Sequence, residues 1–237
     1  MIEKVKVVVT FPIGANFVGN VHVDVYRRLI GFIKDLMCFN PTSKCMNCPK
    51  KEQCRYYQMT GENFSFYPGL LIQNNLFEKK RYKENEQKEF VFYFVGNNKI
   101  YKDYVSLFFE QLRQNLFGNF FYLNQVSSMQ LEKERITLKR TLISTPVENK
   151  DFNYSYNQMA LYYNKKYNTE FLSLVSDVEV HNVRRVQWNP IRLKTRTIKV
   201  NGYVYKVEID EEIDKQLLEI GIGKYNFIGG GHIEIKT

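Results

Sequence analysis

Three groups of residues in this chain have types and spacings that could do chemistry. All four cysteines of its 237 residues fall in one stretch, Cys38-x6-Cys45-x2-Cys48-x5-Cys54. Thiolates so spaced can close a tetrahedral zinc site or hold an iron–sulfur cluster, and in a reducing compartment a metal site is favoured over disulfides. The Cys45-x2-Cys48 pair is the specific part; four free thiols in a loop is the alternative. Zinc is the first expectation and iron–sulfur the second. Four protein ligands leave no open coordination position, so such a metal would be structural and not catalytic.

The second group is the stretch Gly221-Ile-Gly-Lys-Tyr-Asn-Phe-Ile-Gly-Gly-Gly231. Gly221, Gly223, Gly229 and Gly231 permit backbone angles closed to other residues, and Lys224 and Tyr225 lie between them. Exposed N–H groups, one cation and one stacking ring would suit a polyanion. Glycines that merely turn a helix back into a strand are the plainer account. The third group is a basic run: Arg184, Arg185, Arg192, Lys194, Arg196, Lys199 and Lys206, with no acidic residue from 180 to 207. On an alternating strand Arg192, Lys194 and Arg196 share one side, beside Trp188. Protection of a solvated edge usually mixes charge signs, so phosphate contact is the preferred reading.

These groups need a scaffold, and the composition allows one. The chain is 44% hydrophobic and 15% aromatic, with 17 Tyr, 18 Phe and one Trp, and carries a formal charge of +9. It can build a core, and its charge favours an anionic partner such as nucleic acid. No signal-like segment or membrane-length apolar run stands out, so a cytoplasmic protein with no membrane partner is expected. Val5 to Phe11 reads as a strand, Val21 to Met37 as an amphipathic helix, Gly69 to Gln73 and Glu89 to Val95 as strands. Lys99 to Phe117 reads as a helix and Phe120 to Val126 as a strand. Beyond a charged link at 132–135 come a strand (136–143), a helix (Asn153 to Leu174) and a strand (Asp177 to Trp188). Turn signals at Asn189-Pro190 and Asn201-Gly202 set off the strands Ile191 to Val200 and Tyr203 to Ile209. A helix (Asp210 to Ile220), the glycine loop and a closing strand (His232 to Lys236) finish the chain. The order β-α-β-β-α-β therefore occurs twice, the second time with an extra hairpin, predicting tandem ferredoxin-like (RNA-recognition-motif-like) α+β domains. The domains would span 1–130, with a cysteine-bearing insertion at 38–54, and 131–237, with a basic hairpin at 183–200 and the glycine-rich loop at 221–231.

With tandem ferredoxin-like order, a C-terminal glycine-rich loop and a cysteine stretch ahead of Arg55-Tyr56-Tyr57, the chain resembles the CRISPR-associated endoribonucleases of the RAMP superfamily that process precursor CRISPR RNA. The basic hairpin falls where family members commonly grip repeat RNA. The resemblance implies metal-independent cleavage, in which the substrate's own 2′-hydroxyl attacks the adjacent phosphorus and leaves 2′,3′-cyclic phosphate and 5′-hydroxyl ends. That chemistry takes a base, an acid and cations for the developing charge. Of the three histidines, His22 stands where the first loop enters the first helix, a region where similar enzymes often carry a catalytic histidine. Tyr26 is one turn later on the same face, and Arg27 and Arg28 are nearby cations. The expected catalytic set is His22, Tyr26 and Arg28. The expected RNA contacts are Arg184, Arg185, Arg192, Lys194, Arg196, Lys199 and the glycine loop with Lys224 and Tyr225; His181 and His232 are also near these elements. The implied partners are CRISPR repeat RNA, other CRISPR effector subunits and a second copy of the chain. A non-catalytic RAMP subunit that holds guide RNA is the alternative, and an RNA-binding protein unrelated to CRISPR a third.

Overall fold

The computed structural model describes residues 1–40, 44–60, 67–74, 79–192 and 197–234, with backbone only for 189–192, 197, 198 and 234. Lys194, Arg196 and the last two residues of the expected closing strand lie outside the described residues.

The first half is built on β1 (Ile2–Phe11). Val5, Val7, Val9 and Phe11 are buried on one side while Lys4, Lys6, Val8 and Thr10 are half-buried on the other, as a period of two requires. After β2 (Ala15–Asn16), Asn20 caps α1 (Val21–Met37) by accepting the Val23 N–H at 3.1 Å. Tight 3-10 turns at Cys45–Asn47 and Lys51–Gln53 carry the cysteine stretch into α2 (Arg55–Thr60). Then come β3 (Leu70–Ile72), β4 (Arg81–Tyr82) and β5 (Glu86–Val95). The expected helix at 99–117 is shorter: a 3-10 turn at Gly96–Tyr101 precedes α3 (Asp103–Gln111). A small ribbon of β6 (Asn115–Leu116) and β7 (Asn119–Phe120) then leads to β8 (Tyr122–Gln130). The antiparallel sheet runs β3-β5-β1-β8.

The second half comprises β9 (Arg135–Val147), α4 (Phe152–Tyr167), β10 (Glu179–Arg192), β11 (Thr197–Asp214), α5 (Lys215–Glu219) and β12 (Ile233–Glu234). Its sheet runs β10-β11-β9-β12, so the major strands of both halves take the same order. This is the tandem ferredoxin-like arrangement, and it repeats without the expected extra hairpin. Asn189-Pro190 is no turn but sits at a register shift inside β10, between Trp188 and Ile191. Asn201-Gly202 is also internal, paired with Gln187 and Val186. The glycine is there for clearance: a Cβ on Gly202 would stand 2.5 Å from the Val147 carbonyl oxygen.

Two helices of the second half are shorter than periodicity predicts. α4 stops at Asn168, whose left-handed backbone (φ 54°) breaks the ladder. The segment after it runs back along α4, and asparagines satisfy its backbone. Asn164 and Asn157 each both donate to and accept from it, at Phe171 and Leu174, and Asn153 donates to the Ser176 carbonyl. The helix expected over 210–220 shrinks to α5 because β11 continues to Asp214. Ile209 and Ile213 are buried there, while the Glu211 carboxylate accepts the Val175 and Ser176 N–H groups at 2.7 and 3.2 Å.

The apolar run of β5 is covered on both faces. Phe90, Phe92 and Phe94 join α1 and α3 in one core, and Val91, Tyr93 and Val95 join α4, β9 and β11 in the other. Trp188 and Val200, which pair across β10 and β11, are buried in the first core although they belong to the second half. The β10–β11 hairpin is thus an arm anchored on the first half. Burying one such aromatic contributes roughly 1.5–3 kcal/mol.

Candidate functional site

His22 stands at the second position of α1, with the ring tilted against Phe90 at 5.2 Å. Its Nδ1 lies 2.5 Å from the Gln73 carbonyl oxygen. A carbonyl only accepts, so Nδ1 carries the hydrogen, and Nε2 of a neutral ring is left as the proton acceptor. The residue is only 7% exposed, and Nε2 is covered. Asn74, next after Gln73, joins three elements. It accepts from the Asn20 side chain at 3.2 Å and donates to the Ile228 carbonyl at 3.2 Å. The start of α1, the end of β3 and the glycine loop therefore meet beside His22.

The other members of the expected catalytic set are not with it. Tyr26 does share a face with His22, but that face is the core. Its hydroxyl donates to the Leu70 carbonyl at 2.8 Å, and burial holds its pKa well above the usual phenol range. It packs in the core, with its hydroxyl hydrogen committed to that carbonyl. Arg28 is exposed and stacks its guanidinium 5.0 Å from the Phe117 ring centre, 120° further round α1. Arg27 is 3.9 Å from Asp24. Gln73 and Asn74 had no sequence signal, because their importance comes from what the fold brings to them.

The glycine loop departs from the expected anion cradle. Gly221, Gly223, Gly229 and Gly231 are buried with positive φ, and the loop's N–H groups are largely spent internally. Ile222 donates to Gly231, Gly230 and Ile228 to Tyr225, Gly229 to Asn226, and Gly231 to Pro146. At Gly229 a Cβ would fall 2.3 Å from the Cβ of Asn74, so glycine is required where the loop meets that hub. The amides that would bind phosphate instead close the loop on itself and, through Gly231, tie it to β9, while the Asn74 side chain holds it from the end of β3 by donating to the Ile228 carbonyl. Lys224 and Tyr225 remain half-exposed, with the ammonium 5.0 Å from the ring centre. The Lys224 N–H is bonded to the Glu148 carboxylate at 3.0 Å, and burial pushes the Glu148 carboxyl above its usual range.

The basic arm carries exposed Arg184, Arg185 and Lys199. Register puts Arg185 and Lys199 on the face opposite the buried Trp188 and Val200, with Arg184 on the Trp188 face. Arg192 ends β10, its side chain outside the description. Lys206 pairs with His181. His181 lies 3.4 Å from Glu179 and 4.0 Å from Glu208, and these three bring their donor atoms within 4.8 Å of one another. His232 is tied to β9 through its backbone, donating to the Thr145 hydroxyl at 2.6 Å.

Cys38 ends α1, Cys45 opens a 3-10 turn, and Cys48 and Cys54 each close one. The Cys48 N–H reaches back to the Cys45 carbonyl at 3.1 Å. Burial pushes the Cys45 thiol up, and Cys38, Cys54 and Cys48 add to that through their charge. All four thiols are half-buried and unbridged. As a donor set they suit a thiophilic metal; among the described residues their sulfurs are not drawn together to within 4.8 Å as a group.

No protein-family model matches the sequence, and no curated protein matches it. Solved structures share its fold over their full length. A CRISPR associated protein Cas6 aligns with a TM-score of 0.53 and 14% identity, covering 100% of each chain. A RAMP protein binding different RNA substrates gives 0.51 and 11%, covering 99% of this chain and 100% of that one. A Cas6 product complex gives 0.51 and 9%, covering 98% of each. At such identities the likeness is one of fold: the chain shares the tandem ferredoxin-like architecture of these proteins. No helix among the described residues is long and apolar enough to cross a membrane.

Proposed function

We propose that this protein binds CRISPR repeat RNA and cleaves the precursor transcript by attack of the 2′-hydroxyl on the adjacent phosphorus. The observation that carries the reading is the end-to-end correspondence of both halves with structures titled as Cas6 and as an RNA-binding RAMP protein. The exposed cations of the arm supply phosphate contacts, and the net charge of +9 favours approach of a polyanion. His22 is the proton-transfer residue in this reading. Its tautomer leaves Nε2 as the acceptor for the 2′-hydroxyl proton, and α1 directs the positive end of its dipole toward a phosphate beside it. Since Nε2 is covered, RNA must displace its surroundings before a proton can move, so cutting requires local opening near α1.

The burial of His22 also favours a second reading, a non-catalytic RAMP subunit that holds guide RNA, in which the imidazole only fixes α1 to the end of β3. Cleavage of a labelled cognate repeat in EDTA separates the two. Endoribonuclease action predicts scission by wild type, none of a substrate with a 2′-deoxy residue at the cut, and a loss of about 10²-fold or more in His22→Ala. Tight binding with no scission would favour the guide-holding subunit. Normal scission by His22→Ala would keep the enzyme and remove His22 from its mechanism.

A further inference from the structure

A concave site lies beside the glycine loop, which contributes Lys224 to its lining. Tyr67, α4 and Lys224 enclose a cleft of about 510 Å³, within the range of small-ligand sites. Its walls combine three kinds of group. The rings of Tyr67 and Tyr162 stand 5.5 Å apart, and Tyr154 is 53% exposed although its ring borders the cleft. Lys165 and Lys224 are ammonium groups on the lining. Glu148 is the carboxylate, held in place by the Lys224 N–H and hemmed in by Gly223, where a Cβ would sit 2.2 Å from Oε2. Lys224 is shared with the glycine loop; none of the other residues lies on the start of α1 or the end of β3 beside His22.

We propose that this cleft binds one unpaired guanine nucleotide of the RNA, with Tyr154 as the stacking surface, Glu148 as the reader of the base edge and Lys165 and Lys224 on the flanking phosphates. This rests on the RNA-binding reading above and adds a base preference to it. A nucleobase stacks on an exposed ring whatever its identity, so the tyrosines give affinity and little choice. Choice comes from the carboxylate, which only accepts hydrogen bonds. Guanine offers it two adjacent donors, N1–H and N2–H. Adenine and cytosine offer one amine beside an acceptor nitrogen, which a carboxylate repels, and uracil one N–H between two carbonyl oxygens. The carboxylate accepts the Lys224 N–H and its own N–H, and of its roughly four lone-pair sites about two are left for a base edge.

The test is equilibrium binding of labelled UUGUU, UUAUU, UUCUU and UUUUU oligoribonucleotides to the full chain, with guanosine monophosphate titrated separately. UUGUU should bind at least about tenfold more tightly than the other three, the discrimination of one bidentate contact. Glu148→Gln, which keeps side-chain shape, should collapse that preference to about twofold while leaving UUUUU binding nearly unchanged. Tyr154→Ala, at an exposed position, should weaken all four alike. Equal affinities for the four oligomers in wild type, or a guanine preference that survives Glu148→Gln, would overturn the assignment. Guanosine monophosphate binding as tightly as UUGUU would also overturn it, by making a free nucleotide the ligand. These oligomers contain no repeat, so failure of repeat cleavage leaves the test standing, and failure here leaves the cleavage experiment untouched.

Discussion

Glu148 follows directly on the last residue of β9, where the glycine loop folds over its carboxyl group. Burial raises its pKa above 4.5, and the bonds from its own and the Lys224 N–H only partly counter that. A carboxyl with a higher pKa folded than unfolded binds more protons in the native state between the two values. Its contribution to stability is therefore most favourable in acid and falls as pH rises through that window. Glu148→Gln keeps an acceptor for Lys224 and removes the ionisation. It should melt at a higher temperature than wild type at pH 7, with the gain shrinking toward zero near pH 4. A gain of equal size at both pH values would mean that the carboxylate charge is not its source. The same scale exposes a limit of reading sequence. The four-residue spacing of His22 and Tyr26 does put them on one face of α1, but whether that face meets RNA or core depends on the Gln73 and Leu70 carbonyls. Those acceptors lie 51 and 44 residues away in sequence.

Elements whose pattern is local were legible: α1 from its helical stripe, β5 from its unbroken apolar run, and the doubled strand–helix order from their succession. The misread ones depend on distant partners. Asp210 to Asp214 looks like an acidic first helical turn, yet the Glu211 and Asp214 carboxylates serve residues 172, 175 and 176 and Ile213 faces the core. The glycine loop was recognisable as a loop, but not as one whose amides face inward. The cysteine stretch lies between these cases: its spacing predicts a metal-binding cluster, and the 3-10 turns place Cys45, Cys48 and Cys54 at their ends. Bound zinc would deprotonate these thiols and convert their mutual repulsion into ligation. Purified protein is then expected to carry about one equivalent of zinc per chain. Cys45→Ser should lose that metal together with several degrees of melting temperature, because about 1 kcal/mol already shifts a chain of this size by roughly 2–4 °C. Metal-free wild type that melts with Cys45→Ser would end the structural-metal reading.

For the whole molecule, the governing feature is that the halves are not side by side but interlocked. Trp188 and Val200 carry the second half's arm into the first half's core, and Asn74 ties the first half to the glycine loop of the second. Anchoring one face of a two-stranded arm necessarily turns the other outward. Arg185 and Lys199 lie on that outward face, so phosphate contact should be concentrated there, while Arg184 shares the anchored side. Salt dependence distinguishes the faces better than affinity alone, since each phosphate contact to a single strand adds about 0.7 to the slope of log K against log salt. The double variant Arg185→Ala with Lys199→Ala should lower that slope by about 1.4, and Arg184→Ala by less than about 0.7. Neither should change the emission of Trp188, the chain's single tryptophan, because the anchor is left intact. A slope unchanged in the double variant would remove the arm from the RNA interface. A slope lowered equally by Arg184→Ala and by the double variant would mean that RNA wraps both faces of the arm.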